Sequence, residues 1–186
     1  AILFSIADEK KQEKILKNVL ENDEIPAITT PYFNFFELDV LCRMGKLTEV
    51  LDKIRSYWGG MLDLGAVTFW EEYDPSVPKE EQYDMYGDHF GKSLCHAWAA
   101  SPIYFLAKYF AGLDLVNKDG VTYILKPQMQ YFTELDCTLP VGSNGVVRLV
   151  WDGEILEITP NADGGILELG EQKLSLVRGE TRRVNI

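Results

Sequence analysis

The chain has 186 residues, with 18 Lys and Arg against 29 Asp and Glu, a formal charge of −11. That balance lacks the clustered cations that neutralise phosphates, so neither nucleic acid nor an anionic membrane surface is an expected partner. No apolar run approaches the length of a membrane span, while 46% apolar residues can bury a core for one ordinary domain or two small ones. The opening segment, Ala1 to Ile6, is too short for a signal peptide and lacks a basic leader and a Met. The chain therefore reads as a piece of something longer, and its compartment is not read from its start. Cys42, Cys95 and Cys137 are odd in number and widely spaced, which gives no disulfide framework and no zinc spacing. Buried free thiols are expected.

Helical periodicity dominates the first part. Asp8 caps a predicted helix running to about Asn22, with Ile15, Leu16, Val19 and Leu20 on one face. Thr30-Pro31 makes a helix start, the hydroxyl as N-cap and the Pro in the first turn. The helix from Pro31 to Met44 carries Tyr32, Phe33, Phe35 and Phe36, and is expected to be buried on most sides. After Gly45, the stripe Leu47, Val50, Leu51, Ile54 completes a helical hairpin. Trp58 to Lys92 reads as a long irregular loop, a length that marks function in compact domains. A last helix is predicted from about Ser93 to Ala111, closed by Gly112, with Pro102 inside it implying a kink or an earlier irregular turn.

The pattern changes at 114–118. Val121–Leu125, Val146–Trp151, Glu154–Ile158, Ile166–Leu169 and Leu174–Val177 are short strand-like runs. Asn144-Gly145, Asp152-Gly153, Asp163-Gly164-Gly165 and Arg178-Gly179 separate them as turn signals. The expected fold class is α+β in two parts: helices over 1–114, then an all-β sandwich-like domain over 118–186.

The densest chemistry lies in Trp70-Glu71-Glu72-Tyr73-Asp74. Glycoside hydrolysis needs two carboxyl groups, and flat rings beside an acid suit sugars, whose C–H faces stack while hydroxyls bind carboxylates. The same residues also fit a plainer arrangement, with Trp70 anchoring a core and Glu71, Glu72 and Asp74 on a solvated loop. His96 falls in the first turn of the predicted helix, whose dipole favours a neutral ring able to bond a hydroxyl. A core histidine donating to a carbonyl is the alternative. The acids of Tyr83 to His89 could coordinate calcium, but their spacing fits no EF-hand loop. No P-loop, dinucleotide fingerprint, Ser nucleophile elbow or HExxH motif occurs, so no metal and no cofactor is expected.

Tyr57-Trp58-Gly-Gly-Met-Leu-Asp-Leu-Gly-Ala-Val-Thr-Phe-Trp70-Glu71, Ser93-Leu-Cys-His96-Ala-Trp98 and the terminal Tyr109-Phe-Ala-Gly112 resemble the C-terminal part of bacterial α-L-rhamnosidases. The resemblance covers nearly the whole chain. It implies that 1–114 is the C-terminal portion of a twelve-helix (α/α)6 barrel, followed by a small β-sandwich. It also implies an inverting mechanism on a carbohydrate substrate, with Glu71 as general base and His96, Trp70 and Trp58 as substrate-binding residues, Trp70 directly before the base and Trp58 near the pocket wall. The general acid would lie in an N-terminal half of the same enzyme, so this chain alone is expected to be inactive, and either to self-associate through its aromatic helix or to place its β-domain over that face. Glu72-Tyr73 after the base, and Cys95 before the His, depart from the family's usual residues and bear on sugar preference. A different glycosidase, a carbohydrate-binding or scaffold protein without chemistry, and a plain helical interaction module are the competing classes.

Overall fold

A computed structural model describes residues 1–118, 121–143 and 145–185. The chain divides into two compact units, Ala1–Pro102 and Ile103–Ile186.

In the first unit, Asp8 accepts the Lys11 N–H at 2.9 Å and so starts α1 (Glu9–Ile15), which widens into a π-type turn over Leu16–Leu20. Helix α2 (Pro31–Arg43) has Pro in its first turn, but the Thr30 hydroxyl makes no capping bond. Its buried residues, Pro31, Asn34, Leu38, Asp39, Leu41 and Cys42, form one stripe at helical spacing. Tyr32, Phe33 and Phe36 fall outside that stripe and stay exposed, so α2 is not buried on most sides as predicted. The aromatics run around the helix, and it is the polar Asn34 and Asp39 that share the inward face. Helix α3 (Leu47–Lys53) continues through a π-type turn, Ile54–Trp58, into α4 (Gly59–Asp63). The helix thus reaches six residues, Trp58 to Asp63, into the stretch predicted as loop.

The last helix also differs from expectation. His96 is extended (φ −123°, ψ 113°) before a single 3-10 turn, Ala97–Ala99, and α5 begins only at Ser101 (Ser101–Phe105, with a π-type continuation Leu106–Phe110). Pro102 explains the late start, because a proline in a helix interior loses a hydrogen bond and clashes with the preceding turn, whereas the first turn tolerates it. The expected portion of an (α/α)6 barrel is overturned. The described residues contain four helical runs, too few for it, and from 64 to 100 the chain is irregular apart from single 3-10 turns. The fold class is α+β, with two four-stranded sheets supplying most of the regular structure of the second unit.

Those sheets have the orders β1-β2-β6-β7 and β3-β4-β5-β8. The first comprises β1 (Leu113–Lys118), β2 (Val121–Leu125), β6 (Gly165–Leu169) and β7 (Gln172–Leu176). The second comprises β3 (Leu135–Val141), β4 (Gly145–Trp151), β5 (Ile155–Pro160) and β8 (Arg182–Asn185). Adjacent pairs are antiparallel except β2 with β6. Alternation sends Val147, Leu149 and Trp151 inward from β4, and Leu156 and Ile158 from β5. They share one core with Tyr123, Leu125, Leu167 and Leu176 of the first sheet, a sandwich-like arrangement. Asn144, of the predicted Asn144-Gly145 turn, lies outside the described residues.

One core residue carries an unmet polar group. Tyr123 is fully buried, its hydroxyl has no hydrogen-bond partner, and burial raises the pH at which it ionises. Its ring lies over Gly165, where an added Cβ would stand 2.4 Å from the hydroxyl oxygen. Tyr123→Phe should therefore raise stability by about 1 kcal/mol, since it removes a desolvated hydroxyl. Gly165→Ala should lower it by about 1–3 kcal/mol through overpacking. Chemical denaturation of the two variants tests the opposite signs.

Candidate active site

Gly65 takes φ +90° after α4, which lets its N–H bond the Leu62 carbonyl (2.8 Å) and the Ala66 N–H bond that of Met61 (3.0 Å). This left-handed cap turns the chain out of the helix and into the segment that carries Glu71. Two backbone bonds then tie that segment to a second one: Glu71 N–H to Ser93 O at 2.9 Å and His96 N–H to Phe69 O at 2.8 Å. The Thr68 hydroxyl adds a bond to the Leu94 carbonyl. Glu71 and His96 are thereby placed side by side although 25 positions separate them in sequence.

Glu71 is 8% exposed, and each of its carboxylate oxygens has a donor. Oε1 accepts the Tyr86 hydroxyl at 2.9 Å, and Oε2 accepts the Ser93 N–H at 3.1 Å. The His96 Nδ1 stands 3.7 Å from Oε2, too far for a direct hydrogen bond but close enough for one oxygen atom to bridge both. A carboxylate oxygen has about two lone-pair directions, so each retains one for a further donor such as water.

Glu72 points elsewhere, because an extended backbone alternates its side chains. Its Oε1 accepts the Thr29 hydroxyl at 2.9 Å. Asp74 is occupied locally by the Ser76 N–H and hydroxyl, which hold its carboxyl below the usual range. Lys92 is buried nearby; desolvation lowers its ionisation range, against the pull of Glu72, Asp74, Asp84 and Glu71. The arrangement of Glu71 as one of three carboxylates on a solvated loop does not occur.

The tryptophans separate into two kinds. Trp70 is buried and packs on Tyr83 with centroids 5.5 Å apart. Trp58 is 5% exposed, and its indole N–H donates to the Ala99 carbonyl at 2.8 Å. It thus fixes the turn that follows His96. Trp98, in contrast, is 46% exposed, with its ring 4.1 Å from that of His96 and 5.6 Å from that of Tyr32. Trp98 and Tyr86 were not singled out as site residues from the sequence. The His96-Ala-Trp98 spacing was a signal for the first, and the Tyr86-Gly87 turn pair for the second. Cys95, expected buried, is exposed beside His96, whereas Cys42 is buried and Cys137 half-buried.

A cleft of about 520 Å3 in the same unit is lined by Thr29, Lys53, Tyr57, Tyr73 and Asp74 among others, and includes neither Glu71 nor His96. The hydroxyl of Tyr57, one of the lining residues, donates to the Thr29 carbonyl and accepts the Tyr73 N–H at 3.1 Å, and burial raises its ionisation far above the ordinary range. Among the described residues no group of three or more His, Cys, Asp and Glu side chains could hold a metal ion.

The geometry defines a nearly buried carboxylate beside a histidine and exposed aromatic rings, carried on a helical unit that precedes a sandwich-like one. No protein-family model matches the sequence, and no curated protein matches it.

Trp58→Phe should cost about 1–3 kcal/mol, because it leaves the buried Ala99 carbonyl without its donor while keeping most of the packing. Thermal unfolding with a sugar-binding titration checks this. A variant of parent stability that binds sugar more weakly would instead place Trp58 on a pocket wall.

Proposed function

We propose that this chain supplies the general base of an inverting glycoside hydrolase acting on terminal α-L-rhamnosyl or chemically similar residues. Glu71 is that base. The observation that carries the reading is its carboxylate, nearly removed from solvent, with both oxygens oriented by donors and the bridging gap to His96 alongside.

In this reading a water in that gap donates one proton toward Glu71 Oε2, and its oxygen attacks the anomeric carbon from the face opposite the scissile bond. His96 Nδ1 holds the same water or a sugar hydroxyl, and Trp98 offers its exposed face to the C–H side of the ring. Trp70 and Trp58 act from within the core, the first beneath the base and the second beneath the His96 turn. A second carboxyl, from outside this chain, protonates the departing oxygen; inversion places it roughly 6.5–9.5 Å from Glu71 so that the water fits between. Glu72 is not that partner, since its carboxylate is directed to Thr29.

In the full-length protein, Glu71→Gln should lower kcat on an aryl α-L-rhamnoside by about 10²–10⁴, the worth of a general base. Glu72→Gln should cost far less, and NMR of the first-formed product should show the inverted anomer. A severe Glu72→Gln with a mild Glu71→Gln would overturn the assignment. Sugar binding without turnover across a panel of aryl glycosides would assign the exposed Trp98–Tyr32 rings to a binding protein instead.

A further inference from the structure

Tyr86 sits at the tip of a small hairpin where Met85 and Asp88 exchange both backbone bonds, at 3.0 and 2.9 Å. Its two central residues, Tyr86 and Gly87, have φ +56° and +82°. That is the turn geometry for which Asn-Gly or Gly-Gly is preferred, because a side chain at positive φ crowds its own backbone. A tyrosine there is strained, and its ring does not recover the cost by burial, for Tyr86 is 84% exposed. The visible return is one contact, from its hydroxyl to Glu71 Oε1 at 2.9 Å. Backbone strain held in place by its surroundings gathers where geometry serves function.

The surroundings hold it firmly. The Lys92 N–H bonds the Tyr83 carbonyl at 3.1 Å and closes the loop at its base. Tyr83 packs on Trp70, the residue before Glu71, while Ser93, the residue after Lys92, bonds Glu71 Oε2. Gly91 lies so close to the Met85 carbonyl that a Cβ would stand 2.2 Å from it. One loop therefore grips both oxygens of one carboxylate from two sides.

We propose that Tyr86 is a positioning residue for the base, fixing the rotation of the Glu71 carboxylate so that Oε2 stays turned to the gap beside His96. This rests on the reading of Glu71 as general base. Without the hydroxyl the carboxylate rotates more freely about its last bond, and fewer complexes have the accepting lone pair aligned with the water. On this proposal the loss falls on kcat rather than on KM, since the Tyr86 hydroxyl is committed to Glu71 Oε1 and acts through that carboxylate.

The experiment compares Tyr86→Phe, Tyr86→Asn and Glu71→Gln in the full-length protein. Both Tyr86 variants should lower kcat about tenfold, the worth of one hydrogen bond to a charged group, with KM unchanged. Tyr86→Asn restores the residue pair the turn favours, so its melting temperature should equal or exceed the parent's even as the rate falls. A merely structural tyrosine would not separate the two. Independently, the Glu71 bond and charge, with smaller contributions from desolvation and Glu72, raise the ionisation of the Tyr86 phenol. In protein labelled with 13C at tyrosine Cζ, the resonance absent from Tyr86→Phe should titrate at lower pH in Glu71→Gln than in the parent.

Parent-like kcat in both Tyr86 variants, alongside an impaired Glu71→Gln, overturns the inference and leaves the base assignment standing. So does a Tyr86 titration indifferent to Glu71→Gln. A fully active Glu71→Gln enzyme overturns the base assignment, and this inference with it.

Discussion

The site depends on the pairing of two extended segments, in which Glu71 N–H bonds Ser93 O and His96 N–H bonds Phe69 O. These two backbone bonds close the loop between them and set every other relation. They put the Ser93 N–H within reach of the Glu71 carboxylate, bring the His96 ring beside it, and let Tyr83 and Tyr86 approach from the loop between. A buried carboxylate without donors would be costly, since desolvation disfavours the charged form unless hydrogen bonds replace water. Here the same strand-like pairing that buries the side chain also supplies one of its donors.

How much of this was legible in the sequence follows from the kind of interaction involved. Helix starts and stops that rest on local chemistry were readable: Asp8 does cap α1, and Gly112 takes φ +74° after the last helix. All five predicted strands occur with small shifts at their ends. The three missed ones, β1, β3 and β8, are all edge strands. Edges tolerate charge and proline because they leave one side unpaired, so Leu135-Asp-Cys-Thr-Leu-Pro-Val141 hid a clean inward alternation behind Asp136 and Pro140. Helical content between 93 and 100 was overread. Periodic small and aromatic residues suggested a helix there, whereas Pro102 allows one only from Ser101.

For the site, the residue types were legible and the geometry was not. Glu71 and His96 could be named from their neighbours, but the field of a helix N-terminus invoked for His96 is absent, since His96 is extended ahead of a 3-10 turn. Its environment comes instead from the Trp98 ring two positions on and from the Glu71 carboxylate, the second a contact made across the fold. The opposite orientation of Glu71 and Glu72 followed from adjacency alone. Trp70 and Trp58 illustrate a general ambiguity, because a tryptophan near an acid serves equally as a sugar platform or as a core anchor. Burial decides it, and burial is a property of the whole unit.

The parallel pairing of β2 with β6 has a consequence for how the second unit is made. Strand β2 must join β6, yet β3, β4 and β5 lie between them in the chain and belong to the other sheet. Those three are successive antiparallel neighbours linked by short turns, so they can assemble as soon as they are available. The β2–β6 contact is of high sequence separation, and its loop-closure entropy is recovered only once that meander has drawn its ends together. During synthesis, β2 therefore emerges early and waits with its apolar Tyr123 and Leu125 uncovered. The acidic chain, through mutual repulsion, is well suited to keep that waiting strand from finding another copy of itself.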